Sequence, residues 1–247
     1  MVPGGTSLRG SKEQKKRTMT LWILFIGTLA LSLFAAARVK SAYNRHSRGT
    51  VLSGLTGGEA ADLILRQAGI RDVEITHHDE MLGDHYDPLR KRLVLSSQNY
   101  FGSSPAALGV AAHECGHAIQ HQLAYRPLQW RMAAVGITTY ASQIVMWLPL
   151  LGIFTGLIQP LMAATLLAAA WGIIMLFNLV TLPVEFDASR RAKAVLGRMN
   201  LIAPGNEAVA VSQVLNAAAW TYVAAFITSL LYFLWHLMPL LAGRQRD

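Results

Sequence analysis

The residues best suited to chemistry stand together in one short segment, His113-Glu114-Cys115-Gly116-His117, which has the HExxH pattern. Histidines four positions apart lie on one face of a helix, so both imidazoles can bind one zinc ion while Glu114 reaches a water on that ion. Small and apolar residues surround the segment, and unpartnered polar side chains would be costly there. The segment therefore predicts a zinc site, with His113 and His117 as ligands and Glu114 as the general base.

The same helix also carries His121 and Gly116, which lie close to the predicted ligands in sequence. A helix rises about 12 Å over the eight residues from His113 to His121, whereas the ligands of one zinc lie only about 3–4 Å apart. His121 is therefore predicted to lie outside the ligand set, at the rim of the site. Gly116 leaves the helix surface bare, which suits either a closely packed helix or an approaching substrate.

The third ligand has to come from another part of the chain, because a catalytic zinc normally has three protein ligands and one water. The acidic candidates are Asp84, Asp87, Glu185 and Asp187. Asp187 is the main rival of Glu185. A helix turns about 100° per residue, so these two side chains point about 200° apart and cannot both face the metal.

The predicted zinc ligands are separated by long apolar segments, which have to bring them together in the folded chain. Of the 247 residues, 53% are apolar and 15% are charged, and the 53 residues between Arg131 and Glu185 include no Asp, Glu, Lys or Arg. A membrane-spanning helix needs about 20 apolar residues. A cluster of Pro and Gly residues at 149–160 divides the long run into two predicted spans. Segments 18–37 and 208–243 each provide one further predicted span. Segment 18–37 ends like a signal peptide in three alanines, but its apolar part exceeds the usual length of about 7–15 residues, which favours an uncleaved anchor.

Topology favours Glu185 as the third ligand. Two crossings return the chain to the side that it left, so Glu185 emerges beside the domain that carries His113. Pro183 is expected in the first turn of a new helix there.

Ten Lys and Arg residues lie near the spans on the zinc side and seven on the other side, which predicts a cytoplasmic catalytic face. The net charge of +8 comes mainly from these residues, which indicates anionic lipid headgroups rather than nucleic acid as the partner.

The part of the chain outside the membrane is chiefly 38–131, enough for one small domain. A capping-box spacing from Thr56 to Glu59 predicts a helix over 57–68. The single cysteine, Cys115, excludes an internal disulfide and a four-thiolate zinc site.

Short strands are predicted at 72–76 and 92–96, with a loop between them. A further helix, which carries the HExxH segment, is expected to be capped by Ser103 or Ser104. The edge of strand 92–96 is a candidate for binding an extended substrate as an added strand.

Three separated motifs resemble one protein family. They are GDHYDP from Gly83, HECGHAIQH from His113, and LPVEFDASRRA at 182–192. Together they resemble the YugP-like neutral zinc metallopeptidases of bacterial membranes, over roughly 38–205 and, apart from the basic tail, over the whole chain. The resemblance implies a membrane-embedded zinc endopeptidase, distantly similar to HtpX-type proteases. It implies one zinc ion with the ligands His113, His117 and Glu185, and Glu114 as the base.

The expected fold is a multi-pass α-helical membrane protein with a small α+β zincin-like metalloprotease domain carrying the HExxH helix, in the inner (plasma) membrane of a bacterium. Its predicted parts are a flexible basic tail (1–17), span 1 (18–37), the zinc-protease domain (38–131), a hairpin of spans 2 and 3 (132–182), a helix with the third zinc ligand (183–207), and span 4 with the C-terminal end (208–243).

One position departs from the HtpX-type pattern, which typically has Asp four residues after the third ligand. This chain has Ser189 there. The residue that contacts a zinc-binding histidine from outside the ligand set is therefore not assigned, and Asp187 and Asp84 are the candidates. Tyr86 and His85 are candidate donors to the oxyanion of the reaction.

Two other functions stay open. A site-2-type intramembrane protease would suit the Ala-rich HExxH helix, but that class has an Asp-Gly ligand motif in a later span, and this sequence contains no Asp-Gly pair. A non-catalytic zinc-binding membrane sensor or scaffold would need the histidines but not Glu114. We therefore expect a protein or peptide substrate and the lipid bilayer as partners, with membrane-protein quality control as a candidate role. Oligomeric state and cleavage specificity are not predicted.

Overall fold

The computed structural model describes residues 5–79, 83–156 and 158–243. It is mostly helical, with one small sheet. In chain order the elements are α1 (Gly5–His46), α2 (Gly57–Gln67), β1 (Glu74–His78), β2 (His85–Asp87), β3 (Arg92–Ser96), α3 (Ser97–Tyr100), α4 (Pro105–Gln122), α5 (Arg126–Thr155), α6 (Pro160–Arg198) and α7 (Asn206–Gly243).

Within the described residues, four helices are long and apolar enough to cross a membrane, the number of spans that the sequence predicts. The apolar stretches long enough to cross a bilayer are Thr18–His46, Arg126–Gly152, Pro160–Arg198 and Asn206–Leu241. Helix α1 begins at Gly5, so it extends into the segment for which the sequence predicts a flexible tail. No proline follows Pro3 in this segment, and its Lys, Arg and Gln residues have good helix propensity.

Exposed tryptophans mark two levels along the spans. Trp130 in α5 and Trp220 in α7 lie in the halves of their helices nearer the small domain, and Trp22 in α1 and Trp147 in α5 lie in the opposite halves. Along α5 the two levels are about 25 Å apart, at about 1.5 Å per residue. Tryptophan is enriched at both membrane–water interfaces, so the positions of these residues agree with the four apolar helices as candidate spans.

Helix α6 is continuous through Pro183, so the expected new helix at Pro183 is wrong. Proline removes one backbone hydrogen bond inside a helix and often kinks it. Spanning helices tolerate proline where packing against neighbouring helices holds the segment in place, and α6 packs against both α5 and α7. As a result, Glu185 is carried by the same helix that forms the third candidate span.

The sheet has the order β1-β3-β2, with β1 parallel and β2 antiparallel to β3. Strand β1 starts two residues later than predicted, and β2 lies inside the predicted loop. Strand β3 agrees with the predicted 92–96, but it is the central strand. Its two edges are already paired, so the expectation that a substrate adds to this strand is wrong.

The predicted helix starts of the extramembrane domain are confirmed. Thr56 and Glu59 form the expected capping box of α2. The Ser104 side chain caps α4 by accepting a hydrogen bond from the Ala107 amide at 3.2 Å. The core formed by α2, β3 and α4 continues onto α6 and α7, where Leu196 and Val211 are fully buried. Helix α4 therefore packs against α2 and β3 of the small domain and also against α6 and α7.

Cys115 should not react with a maleimide in the folded protein. Its side chain is 0% exposed and lies 3.7 Å from the Ala61 carbonyl. Burial, assisted by the charge of Glu114, raises the pKa of this thiol, and the thiol form is a poor nucleophile. Mass spectrometry should show modification only after denaturation in SDS. Rapid modification of the native protein in mild detergent would contradict the packing of α4.

Candidate metal centre

Three side chains from two helices converge at the ends of the spans: His113 and His117 from α4, and Glu185 from α6. Their nearest nitrogen and oxygen atoms all lie within 4.8 Å of one another. The Glu185 Oε2 atom lies 3.2 Å from His113 Nε2 and 3.6 Å from His117 Nε2. Glu185 is 2% exposed. The histidines come from one face of α4, as the four-residue spacing predicts.

This donor set fits a zinc ion. Ligands that each lie about 2 Å from a tetrahedral zinc are separated by about 3–4 Å, which agrees with the distances between the carboxylate and the imidazoles. Two imidazoles and one carboxylate are also a ligand set that catalytic zinc uses. The residues present therefore suit the metal, and the fit rests on geometry as well as on residue type.

The electrostatics of His117 agree with such a site. Burial alone would lower the pKa of this imidazole, but its hydrogen bond to Glu185 and the nearby charges of Glu114 and Glu185 outweigh burial and raise the pKa. The same negative surroundings that favour a proton here favour a cation. Protons and a metal ion would compete for this group.

The orientation of His117 is set by Gln120, which the sequence analysis missed. The Gln120 amide nitrogen donates to the Val184 carbonyl at 2.8 Å and to Asp187 Oδ2 at 2.9 Å. Its oxygen therefore faces His117 Nδ1, at 3.0 Å, and only a protonated Nδ1 can donate to it. In the neutral imidazole this leaves the lone pair on His117 Nε2, the atom that lies 3.6 Å from Glu185 Oε2.

Asp187 helps to hold Gln120 in this orientation. It is buried and accepts hydrogen bonds from Gln120, Arg190 and Arg191. Its contact with His117 is indirect, through Gln120. Asp187 also lies outside the metal cluster found among the described residues, as the helical angle between Glu185 and Asp187 predicts.

Ser189 takes the position of the expected aspartate. Its hydroxyl lies 3.2 Å from His113 Nδ1, so this histidine has a neutral partner instead of a charged one. Asp84, the other candidate partner, accepts hydrogen bonds from the Ser96 amide at 2.7 Å and from Asn99 at 2.9 Å. Each proposed histidine ligand thus has a side-chain partner on Nδ1, the arrangement that orients metal-bound histidines.

Arg131 holds the second oxygen of Glu185. Its guanidinium donates to Glu185 Oε1 at 2.6 Å, while Oε2 faces the imidazoles. No local sequence pattern indicates this contact, because Arg131 resembles an ordinary charge at the start of a span. Its effect is to fix the carboxylate so that one oxygen points to the metal position.

Glu114 is 8% exposed and lines a cavity that also reaches His113 and Glu185. Tyr222 of α7 lines the same cavity, although the sequence analysis did not select it. Among the candidates from the GDHYDP motif, Asp84 also lines this cavity, but Tyr86 does not.

The remaining candidates make their hydrogen bonds away from His113, His117 and Glu185. The Tyr86 hydroxyl and His121 Nδ1 are 2.9 Å apart, and both residues line a separate cavity on the other side of α4. His85 Nδ1 is close to the Gly83 carbonyl, and Asp87 accepts from the amides of Leu89 and Arg90 in a turn. Tyr86 and His85 are therefore not among the residues that line the cavity beside Glu114, whereas Tyr222 is.

Gly116 allows α4 and α6 to approach closely, which decides between the two roles left open for it. A Cβ atom at this position would lie 2.8 Å from the Ala188 carbonyl oxygen and 3.1 Å from Ala188 Cα. Because these atoms are backbone, they cannot yield without a shift of one helix. The contact therefore sets the distance between the helix of His113 and His117 and the helix of Glu185.

Gly116→Ala should weaken zinc binding, because it forces these two helices apart and such overpacking typically costs about 1–3 kcal/mol. Zinc affinity measured by competition with a chelator is the test. Gly136→Ala on α5 is the matched control, since a Cβ atom there meets nothing within 4 Å. Equal zinc affinity of the two variants would contradict the close-contact role.

Comparison with known proteins gives two matches. Residues 21–241 match the model of a family described as "Putative neutral zinc metallopeptidase". A curated relative from Bacillus subtilis (strain 168), named "Putative membrane protease YugP", is 39% identical over 229 residues, which cover 93% of this chain and 100% of the relative. No solved structure matches.

Proposed function

Since the chain belongs to the family of neutral zinc metallopeptidases, we propose that it is a membrane-embedded endopeptidase with one zinc ion bound by His113, His117 and Glu185. The observation that carries the proposal is the convergence of two imidazole Nε2 atoms on one carboxylate oxygen, at 3.2 and 3.6 Å. These three side chains come from two helices far apart in sequence. An incidental polar stripe on α4 would not explain why a carboxylate from another helix meets the two histidines.

A bound zinc ion would supply a Lewis acid and lower the pKa of a water molecule. Glu114 would accept the proton of the attacking water and donate it to the leaving amine. Its position suits this role, since it is one residue from His113 on α4 and lines the cavity beside Glu185. Tyr222 lines that cavity from α7, and in this proposal its hydroxyl would donate to the developing negative charge on the substrate oxygen.

The supporting residues hold the reacting groups in place. Gln120 keeps the proton of His117 on Nδ1, and Asp187 keeps Gln120 in that orientation. Ser189 contacts the corresponding atom of His113, and Arg131 orients Glu185. Preorganised contacts of this kind reduce the rearrangement needed when the metal and the substrate bind.

The purified protein should contain about one zinc per chain and cleave an unfolded protein such as casein. His113→Ala and His117→Ala should lose both zinc and cleavage, because each removes a ligand. His46→Ala is a control, since His46 contacts Gln213 outside the cluster. Metal analysis and a casein assay on the same preparations test the proposal. Wild-type activity in either ligand variant would contradict it.

The proposed catalytic face is cytoplasmic. Arg131 adjoins Trp130, one of the tryptophans at the domain end of the spans, so the candidate site lies near one membrane surface. A reporter fused after residue 247 should then lie outside the cytoplasm, because four spans put both chain ends on the side opposite the domain. Paired alkaline phosphatase and fluorescent protein fusions measure this. A cytoplasmic C-terminus would reverse the assignment.

The physiological substrate can be sought with Glu114→Gln as a trap, by comparing membrane proteomes of cells with and without the protein. Accumulation of many whole membrane proteins would support quality control. Accumulation of one precursor would instead support a processing role.

A further inference from the structure

A cavity of about 540 Å³ adjoins the proposed zinc site. Its walls come from α1, α4, α6 and α7, together with α3 and Asp84, which precedes β2. His113, Glu114, Glu185 and Tyr222 all line it. A group bound in the cavity would therefore lie next to the atoms proposed to carry out hydrolysis.

The walls away from the proposed ligands are largely apolar. Helix α7 contributes Val214, Leu215 and Ala218, α4 contributes Val110, and α1 contributes Ala36. Small side chains at two of these positions keep the cavity wide. The apolar lining is consistent with binding of hydrocarbon side chains, because the free energy of burial scales with the apolar area removed from water.

Three of the polar residues on the wall near the sheet bond to one another. The Tyr43 hydroxyl donates to Asn99 Oδ1 at 2.7 Å, and Asn99 donates to Asp84 Oδ2 at 2.9 Å. This chain of hydrogen bonds joins α1 to the segment before β2. It leaves the apolar surface of α7 and α4 as the main binding surface of the cavity.

We propose that this cavity is the subsite for an apolar stretch of two or three substrate residues directly beside the scissile bond. The proposal rests on the proposed function and names its substrate class: segments rich in Leu, Phe and similar residues. The volume supports more than one side chain, since pockets for drug-sized ligands span about 300–1,000 Å³. The location near the membrane surface favours segments that emerge from the bilayer or from an unfolded core.

The test uses two quenched fluorescent peptides of equal length and charge, one with a central Leu-Phe-Leu stretch and one with Ser-Asn-Ser. The full-length protein in detergent should cleave the apolar peptide with a kcat/KM about 10-fold higher or more, since even one methylene in an apolar pocket is worth about 10–200-fold. Ala218→Phe should reduce this preference by narrowing the cavity. Ala225→Phe is the matched control, because Ala225 is exposed on the same helix.

A measurement on the wild type alone keeps the test independent of the folding of any variant. Mass spectrometry of casein fragments should show apolar residues enriched within three positions on one side of the cut. Casein cleavage without this enrichment, or equal rates on the two peptides, would overturn the subsite while leaving the proposed function intact. A protein that binds no zinc and cleaves neither casein nor peptide would overturn both.

Discussion

Glu114→Gln should retain zinc and lose at least about 10²-fold in casein cleavage, within the range of about 10²–10⁴-fold for general acid–base catalysis. Glutamine keeps the shape of the side chain but cannot accept the proton of the attacking water. The proposed zinc ligands are other residues, so the metal content should be unchanged. Zinc analysis and initial rates of casein hydrolysis, measured on the same preparation, separate these two effects.

Glu74→Gln is the matched control for this experiment. Glu74 is an exposed carboxylate at the start of β1, paired with Arg92 at 3.1 Å, and its loss should leave zinc content and activity near those of the parent. An active Glu114→Gln variant would show that the base is another group. Loss of zinc from this variant would place Glu114 among the ligands and contradict the proposed division of roles.

Glu185→Gln should lose most of the bound zinc, whereas Asp187→Asn should lower zinc affinity by the smaller factor of about 10–100 that is typical of an outer partner. The first change removes the charge of a proposed ligand. The second acts only through Gln120 and His117, because Asp187 contacts Gln120 at 2.9 Å. Zinc dissociation constants of the two purified variants, from competition with a chelator, provide the measurement.

Ser189→Ala helps to interpret these two variants, since it removes the neutral partner of His113 without changing any charge. Its effect on zinc affinity should be no greater than that of Asp187→Asn. Retention of zinc in Glu185→Gln together with its loss in Asp187→Asn would reverse the proposed ligand assignment.

Local sequence patterns predicted much of the fold and the centre of the site. The spacing of His113 and His117 within one helix, the capping box at Thr56, and the apolar length of the four spans each depend on neighbours in sequence. The pairing of Glu185 with the histidines was reached from topology and from the family resemblance. The structure brings these three residues together, while their binding of zinc stays a prediction.

The remaining features depend on packing between distant elements. Gln120 and Arg131 acquire their contacts only when α4, α5 and α6 are adjacent, and no local pattern marks such residues. Strand β3 looks like an edge strand in sequence, but pairing partners from both sides make it central. Pro183 favours a helix start on local grounds, and the packing of α6 against its neighbours overrides that preference.

The continuity of α6 through Pro183 has a consequence for the biosynthesis of the protein. The chain is made from the N-terminus, so His113 and His117 leave the ribosome before the α5–α6 hairpin and Glu185 follow. If the three residues bind one zinc ion, the site can be completed only after this hairpin has inserted into the bilayer and brought Glu185 beside α4. A nascent or mislocalised chain would then be inactive, and proteolysis would begin only at the membrane.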